Sequence, residues 1–362
     1  MGANKVRDNT EKEATNLMAD IAYRSGMVLV TAPIETHWLE RLQRLLPDLR
    51  IKQWSIHSDG VIPRDLWQEV EILYTSFAAS LPSPENASRL RWVQLYSAGP
   101  DRILDHPLFS TSVTFTTVSG IHAITMAEYV FAVVLAWFHR LPRVLDWQQG
   151  RQWPSNRERA TLFVGEELWG KTIAVVGYGS VSRQVARLAK SFGMRVLATQ
   201  RGSDHRDHGF RFPGVGDPEG TLPDGYYAPD QFHQMLSESD IVVIAVPLTS
   251  KTQGMFDEAA FRMMKPTAFL VNIARGDVCK EVDLIRALEE RQIAGAALDV
   301  FHEEPLPSDH PLWHLENVFI SPHVAGLSPR YNEYAASVFE ENLQRYLAGE
   351  PLINVVDKVS EY

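Results

Sequence analysis

Three residue types able to act together stand at the ends of apolar runs in the second half of this 362-residue chain. Arg275 lies in Asn272-Ile273-Ala274-Arg275-Gly276-Asp277, Glu303 and Glu304 precede Pro305, and His323 ends Ser321-Pro322-His323. A guanidinium suits anion holding, and an imidazole suits proton transfer near neutral pH. Taken singly, each has an ordinary explanation. A histidine after proline is usually a surface group, a lone arginine a salt bridge, and glutamates beside a proline solvated charge. Position sets them apart. Each trails an apolar run, Ala268 to Ile273, Ala296 to Val300 or Val318 to Ser321, of the kind that reads as a buried parallel strand. Groups at such strand ends point into one crevice, where ligands bind in open α/β sheets.

The stretch that organises the chain is Lys171 to Gly193. Thr172 to Val176 is a β-branched apolar run, Gly177 and Gly179 follow at once, and Val181, Val185, Leu188, Ala189 and Phe192 recur at helical spacing before Gly193. Strand, glycine turn and amphipathic helix form the opening of a dinucleotide-binding βαβ unit. Gly177 permits the sharp exit from the strand. Gly179 lets a pyrophosphate approach the backbone. The free N–H groups near Ser180 and Val181, with the helix dipole, favour that anion. Ser182 replaces the third glycine of the fingerprint, and serine is small enough for the helix–strand packing that glycine serves.

Composition sets the bounds. With 45% hydrophobic and 22% charged residues the chain has ample core-forming capacity for two or more domains. A net charge of −10 without a long basic run argues against a nucleic-acid binder. The single cysteine, Cys279, excludes an intramolecular disulfide and a thiolate zinc cluster, and reads as a small filler. No metal site is expected. With no apolar h-region at the N-terminus and no run long enough to span a bilayer, the expected setting is cytoplasmic, away from membranes.

Residues 1 to 25 read as a loosely held leader. Strands are expected at Met27 to Thr31, Ile72 to Thr75 and Trp92 to Tyr96, and helices at Thr36 to Leu46 and Arg64 to Val70. This alternation predicts a parallel α/β layer. Ser97-Ala98-Gly99-Pro100-Asp101 is a turn at a strand's carboxyl end. His122 to Phe138 is an amphipathic helix. Trp147 to Arg159, aromatic without a period, reads as a linker or an arm reaching a partner subunit. Arg195 to Thr199 and Ile241 to Val246 are strands of the glycine-turn domain. Residues Gly202 to Gly225, with His205 and His208, read as a solvated surface excursion rather than a metal site. Pro329 to Tyr346 is a C-terminal helix.

These segments in this order, with Met126-Ala127-Glu128-Tyr129, Val246-Pro247-Leu248-Thr249, Lys265-Pro266, Val271 to Gly276, Leu298 to Pro305 and Pro322-His323, resemble the D-isomer-specific 2-hydroxyacid dehydrogenase family from about Met27 to the C-terminal helix. The resemblance implies two Rossmann-like doubly wound parallel-sheet domains. The cofactor domain, 121–322, is inserted into a substrate domain formed by 1–120 and 323–362, with the active site in the cleft between them. It gives His323 the role of acid/base and Glu304 that of the carboxylate orienting the ring and favouring the imidazolium. Arg275 becomes the clamp on a substrate carboxylate and carbonyl. The Ala98 and Gly99 N–H groups become further substrate donors, and Asp299 the contact to the nicotinamide carboxamide. Tyr178, Ser180, Val181, Val246, Pro247, Thr252, Ile273, Ala274, Arg275, His323 and Gly326 join the glycines as cofactor neighbours. Glu304 separates the chain from the formate dehydrogenase branch, where a glutamine stands beside the histidine.

One departure concerns the cofactor. NAD-preferring members close the second strand with an acid that takes the ribose 2′-OH; here Gln200 and Arg201 stand there. A neutral amide plus a guanidinium welcomes a 2′-phosphate, so NADP(H) is expected over NAD(H). A second departure, Lys280 in place of an acid, has no account at this level. The reaction the resemblance implies is hydride transfer between a nicotinamide cofactor and a small 2-keto acid such as glyoxylate, hydroxypyruvate or a bulkier analogue, in a homodimer with contacts from the helix and arm around His122 to Trp153, Trp153 being the residue expected to reach the neighbouring active site. The alternative is a dinucleotide-sensing scaffold resembling the C-terminal-binding-protein corepressors, which share these motifs. Tyr74 to Phe77 and Tyr96 are the residues expected near the substrate side chain.

Overall fold

The computed structural model describes residues 26–76 and 81–359; the expected leader, residues 1–25, and Phe77 lie outside the described residues. The strands are β1 Met27–Val30, β2 Arg50–Gln53, β3 Val70–Thr75, β4 Trp92–Leu95, β5 Thr114–Thr116, β6 Thr172–Val176, β7 Arg195–Thr199, β8 Gly225–Tyr227, β9 Ile241–Ile244, β10 Phe269–Asn272, β11 Gly295–Leu298 and β12 Val318–Ile320. The helices longer than one turn are α1 Thr36–Leu45, α2 Ala123–Phe138, α3 Leu141–Gln149, α4 Asn156–Leu162, α5 Ser180–Ser191, α6 Phe232–Glu238, α7 Glu258–Met263, α8 Glu281–Glu289 and α9 Tyr331–Ala348. They form two parallel-sheet α/β units. One runs through the described residues up to Ser119 and resumes at Pro329; the other is Gly120–Ser328.

The first unit carries a five-stranded sheet in the order β2-β1-β3-β4-β5, with every pair parallel. Aromatic rings hold α9 to it: Tyr74 stacks on Phe339 at 4.5 Å and Trp92 on Tyr346 at 5.4 Å. Under those rings the buried polar atoms are paired. Trp92 Nε1 donates to Thr116 Oγ1 at 2.7 Å, and Thr116 Oγ1 and Asn342 Nδ2 both donate to Gln94 Oε1.

The second unit carries seven parallel strands in the order β12-β11-β10-β9-β6-β7-β8. Its central strands TIAVV, IVVI and FLVN are buried throughout, as strands covered on both faces must be. Helix α2 covers one face. Trp137 stacks on Phe269 at 4.7 Å, and Gly295 leaves the room, since a Cβ there would come within 2.5 Å of the indole. Phe131 stacks on Phe192 at the end of α5.

Three expectations change. The segment from His323 to Ser328 packs with the second unit, so that unit ends at Ser328 instead of at residue 322. The reason is local: the Asp299 carboxylate accepts the Val324 and Ala325 N–H groups, and His122 Nδ1 bonds the Gly326 carbonyl. Trp147 to Arg159 is not a bare linker. It holds the end of α3 and the start of α4, the latter opened by a Ser155–Glu158 capping box, although neither helix has a buried residue. The excursion after β7 is not merely solvated, for reasons given below. Among the described residues no single helix is long and apolar enough to cross a membrane; α2 and α3 reach that length only as a pair bent by 68°, and one stripe of α2 is buried in its unit.

Candidate active site

The glycine turn stands where strand order reverses. From β6 the chain proceeds to β7 and β8 on one side and to β9 on the other, so the turn after β6 and the end of β9 flank the switch point. Gly177 has φ +87°, and a Cβ there would lie 2.7 Å from Val246 Cγ1 and 3.2 Å from the Ala245 carbonyl. Only glycine combines that conformation with that approach. Its N–H donates to Thr199 Oγ1 at 2.8 Å, joining the turn to β7. A Cβ on Gly179 would meet nothing within 4 Å, and no side chain caps α5. The helix start thus presents backbone donors to open space, which fits the pyrophosphate of a dinucleotide. Tyr178 turns away: its ring is buried and its hydroxyl donates to Asp217 Oδ2 at 2.7 Å. Ser182 is buried beneath the turn, and its hydroxyl finds no hydrogen-bond partner among the described residues. Gly179→Val should lower the melting temperature by no more than about 4 °C, the cost of valine at a helix N-cap with its side chain in empty space, yet weaken dinucleotide binding at least ~10-fold in a fluorescence titration.

The segment after β7 is built on α5. Arg183, 2% exposed, donates from Nη1 to the Asp217 carbonyl at 2.6 Å and from Nη2 to the His205 carbonyl at 2.8 Å, and its guanidinium lies over the Tyr178 ring. Burial opposes the charge on Asp217. Bonds from Tyr178, Leu222 and Thr221, with the Arg183 charge, nevertheless hold its carboxyl below the usual range. His205 stacks flat on Tyr226 at 3.6 Å and bonds Gln200 Oε1 through Nδ1, while Gln200 Nε2 donates to the Asp204 carbonyl. Gln200 is therefore held in place beside the exposed Arg201. Among the described residues no three histidine, cysteine or acidic side chains are grouped to hold a metal ion.

Arg275, Glu304 and His323 come from the turns after β10, β11 and β12, three neighbouring strands. Buried Asn272 shapes the first turn: its Oδ1 accepts the Ala274 N–H and its Nδ2 donates to the Arg275 carbonyl. Gly276 lets that turn press on the next, since a Cβ would fall 2.0 Å from the Phe301 carbonyl carbon. Glu304 bridges onward. Its Oε1 accepts the Phe301 N–H at 3.0 Å and its Oε2 meets His323 Nδ1 at 2.8 Å. Partial burial pushes the Glu304 carboxyl up, but the His323 and Phe301 bonds and the charges of His323 and Arg275 outweigh it and hold it below the usual glutamate range. His323 itself sits at φ +55°, half exposed. With Nδ1 committed to Glu304, Nε2 is the ring atom that can exchange a proton with a ligand. A guanidinium near a carboxylate–imidazole pair can hold an anion and protonate an oxygen at neighbouring points.

The other expected residues fall around this frame. Asp299, 1% exposed, accepts from Ser321 Oγ, Val324 N and Ala325 N, and so anchors the turn that carries His323. Ile273 and Ala274 are buried at the end of β10. Pro247 and Thr252 belong to one turn after β9, where the Thr252 hydroxyl donates to the Pro247 carbonyl at 2.6 Å. Cys279 is buried and its thiol is pushed up to about 12 by burial, which removes it as a nucleophile. Lys280 gains an account: its ammonium pairs with Asp257, the N-cap of α7, and its stem covers Gly254. In the first unit, Ala98 and Gly99 follow β4, and among the described residues no hydrogen bond takes either N–H, so both can receive a carboxylate. Sequence reasoning passed over His122, at the start of α2, and Arg183. A histidine before a helix and an arginine on a helix face are both ordinary until their distant partners are known.

The comparisons with known proteins agree with this geometry. Residues 131–325 match the family model described as D-isomer specific 2-hydroxyacid dehydrogenase, NAD binding domain. A glyoxylate reductase of Pyrococcus furiosus is 32% identical over 342 residues, covering 91% of this chain and 95% of that protein. A crystal structure of a D-isomer specific 2-hydroxyacid dehydrogenase family protein from Aeromonas salmonicida superposes with a TM-score of 0.75 at 31% identity, over 92% of this chain and 99% of that one. A D-isomer specific 2-hydroxyacid dehydrogenase from Xanthobacter autotrophicus, solved with NADPH and MES, gives a TM-score of 0.75 at 25% identity, over 93% and 99% of the two chains.

Proposed function

The chain belongs to the D-isomer specific 2-hydroxyacid dehydrogenase family, and from that premise we propose that it reduces a small 2-keto acid, glyoxylate or hydroxypyruvate, with NADPH and with His323 as the proton donor. It is an NAD(P)-dependent oxidoreductase acting on a 2-hydroxy acid. The observation that carries the finer reading is the 2.8 Å bond from Glu304 to His323 Nδ1 at the end of a sheet whose next turn bears Arg275. The nicotinamide, when bound, supplies the hydride. The chain does the rest. The Arg275 fork takes the substrate carboxylate and draws density from its carbonyl. Glu304 stabilises the imidazolium of His323. The His323 Nε2 proton then passes to the carbonyl oxygen as it gains charge.

The preference for NADPH rests on the end of β7, where Gln200 and Arg201 replace the acid that would accept a ribose 2′-OH and repel a 2′-phosphate. The NADPH bound by the Xanthobacter relative supports it. The ratio of kcat/KM with NADPH to that with NADH should exceed about 10, the value of one charge-assisted contact of ~1.4 kcal/mol or more. A clear NADH preference refutes it. The same screen run over 2-keto acids tests the substrate: glyoxylate or hydroxypyruvate should lead, and negligible turnover with every acid would leave a dinucleotide-sensing scaffold. A homodimer is part of the reading, supported by the exposed apolar side chains Leu141, Val144 and Leu145 on α3 and by Trp153, 86% exposed.

A further inference from the structure

His122 is a partly buried titratable group that the proposed reaction does not use. It stands just before α2, and its carbonyl accepts the Met126 N–H, so it is fixed to the first turn of that helix. Its ring reaches across 204 residues of sequence: Nδ1 lies 3.1 Å from the Gly326 carbonyl oxygen. Gly326 suits that contact, because a Cβ there would stand 3.0 Å from Nδ1 and 3.2 Å from the next ring carbon. Gly326 is three residues beyond His323, in the turn whose Val324 and Ala325 N–H groups are held by Asp299. The turn is thus held from two sides. Asp299 takes its amides from within the sheet, and His122 takes its carbonyl from α2.

A carbonyl only accepts, so the bond fixes the proton on Nδ1. In water the neutral ring carries it on either nitrogen; here one tautomer is selected. Burial holds the His122 imidazole below the usual histidine range. The Gly326 bond acts against that, while the charges of Arg275 and His323, the groups that face it, act with burial. A protonated His122 would place a third cation beside a guanidinium and an imidazolium.

We propose that His122 is a positioning residue for the acid/base: a neutral imidazole protonated on Nδ1 that ties the Gly326 carbonyl, and with it the turn bearing His323, to the first turn of α2. The inference rests on the reading of His323 as the proton donor. The test uses the full chain with three substitutions and one spectrum. A long-range nitrogen–proton NMR spectrum of the wild type, labelled at histidine nitrogens, should show His122 neutral near pH 7 and protonated on Nδ1. His122→Leu, which has no donor, should lower kcat for keto-acid reduction about 10-fold with KM for the keto acid nearly unchanged. His122→Asn, whose amide can donate to the same carbonyl, should recover most of that loss. An Nε2 proton or an imidazolium in the spectrum overturns the inference. So does an unchanged kcat in His122→Leu, or no recovery in His122→Asn. His323→Ala separates the two readings. If it is inactive while His122→Leu turns over normally, only the positioning role falls. If it keeps full turnover, the acid/base assignment falls and the positioning role goes with it.

Discussion

His323→Ala is expected to lower kcat for 2-keto acid reduction by about 10²–10⁴-fold, the range for losing a positioned general acid. KM for NADPH should barely move, since the glycine turn after β6 is untouched. The melting temperature should stay near that of the wild type: the ring is half exposed and its hydrogen bond to Glu304 joins two partly exposed groups. The loss belongs to the transition state, because a carbonyl accepting hydride must gain a proton, and Arg275 offers none at neutral pH. Direction of reaction sets the pH trend. Reduction needs the imidazolium and weakens as pH rises; oxidation of the 2-hydroxy acid needs the free imidazole and strengthens.

Glu304 sharpens this result. Its carboxyl is held below the ordinary glutamate value of 4.5, so the Glu304 carboxylate is ionised above that pH and loses its charge, with the stability it contributes, only as pH falls through the lowered value. The carboxylate therefore stays charged across the range in which histidines titrate. A change of rate in that range therefore does not come from Glu304. A flat pH profile in the wild type, together with a His323→Ala variant that turns over normally, would place the proton donor elsewhere.

What could be read in advance followed from local physics. Runs such as Ile241 to Ile244 are buried on both faces, and a glycine turn between strand and helix leaves its mark in adjacent residues. Arg275, Glu304 and His323 were legible because each ends such a run. The strands that escaped notice lie at the sheet edges or are only three residues long. In β2, Arg-Ile-Lys-Gln, most side chains face solvent, so no apolar pattern marks it; β8 pairs on one side only and begins at Gly225, where the segment read as an excursion ends. Arg183 was illegible for another reason. A buried arginine on a helix needs acceptors, and its acceptors are carbonyls more than twenty residues away. Nothing near Arg183 in sequence announces them. His122 and Gly326 are a pair of the same kind.

Asp299→Ala should be strongly destabilising to the second unit. The carboxylate is 1% exposed and accepts three hydrogen bonds, from Ser321 Oγ at 2.6 Å, Val324 N at 2.9 Å and Ala325 N at 2.8 Å. Alanine leaves all three donors without their acceptor in a place water reaches poorly. That costs about 3 kcal/mol or more, equivalent to a fall of roughly 6–12 °C in melting temperature for a unit of this size. Activity should fall further than stability explains, because the freed turn is the one that aims His323 at its proton acceptor. Asp299→Asn separates anchoring from charge. With its oxygen toward Ser321 and Val324 it keeps two of the three bonds and should recover most of the melting temperature, while its amide faces the Ala325 N–H and holds the turn imperfectly. If anchoring is the main role, kcat tracks the melting temperature through wild type, Asn and Ala while KM for NADPH changes little. A melting temperature unchanged in Asp299→Ala, with KM for NADPH raised alone, would make Asp299 a cofactor contact that the turn does not need.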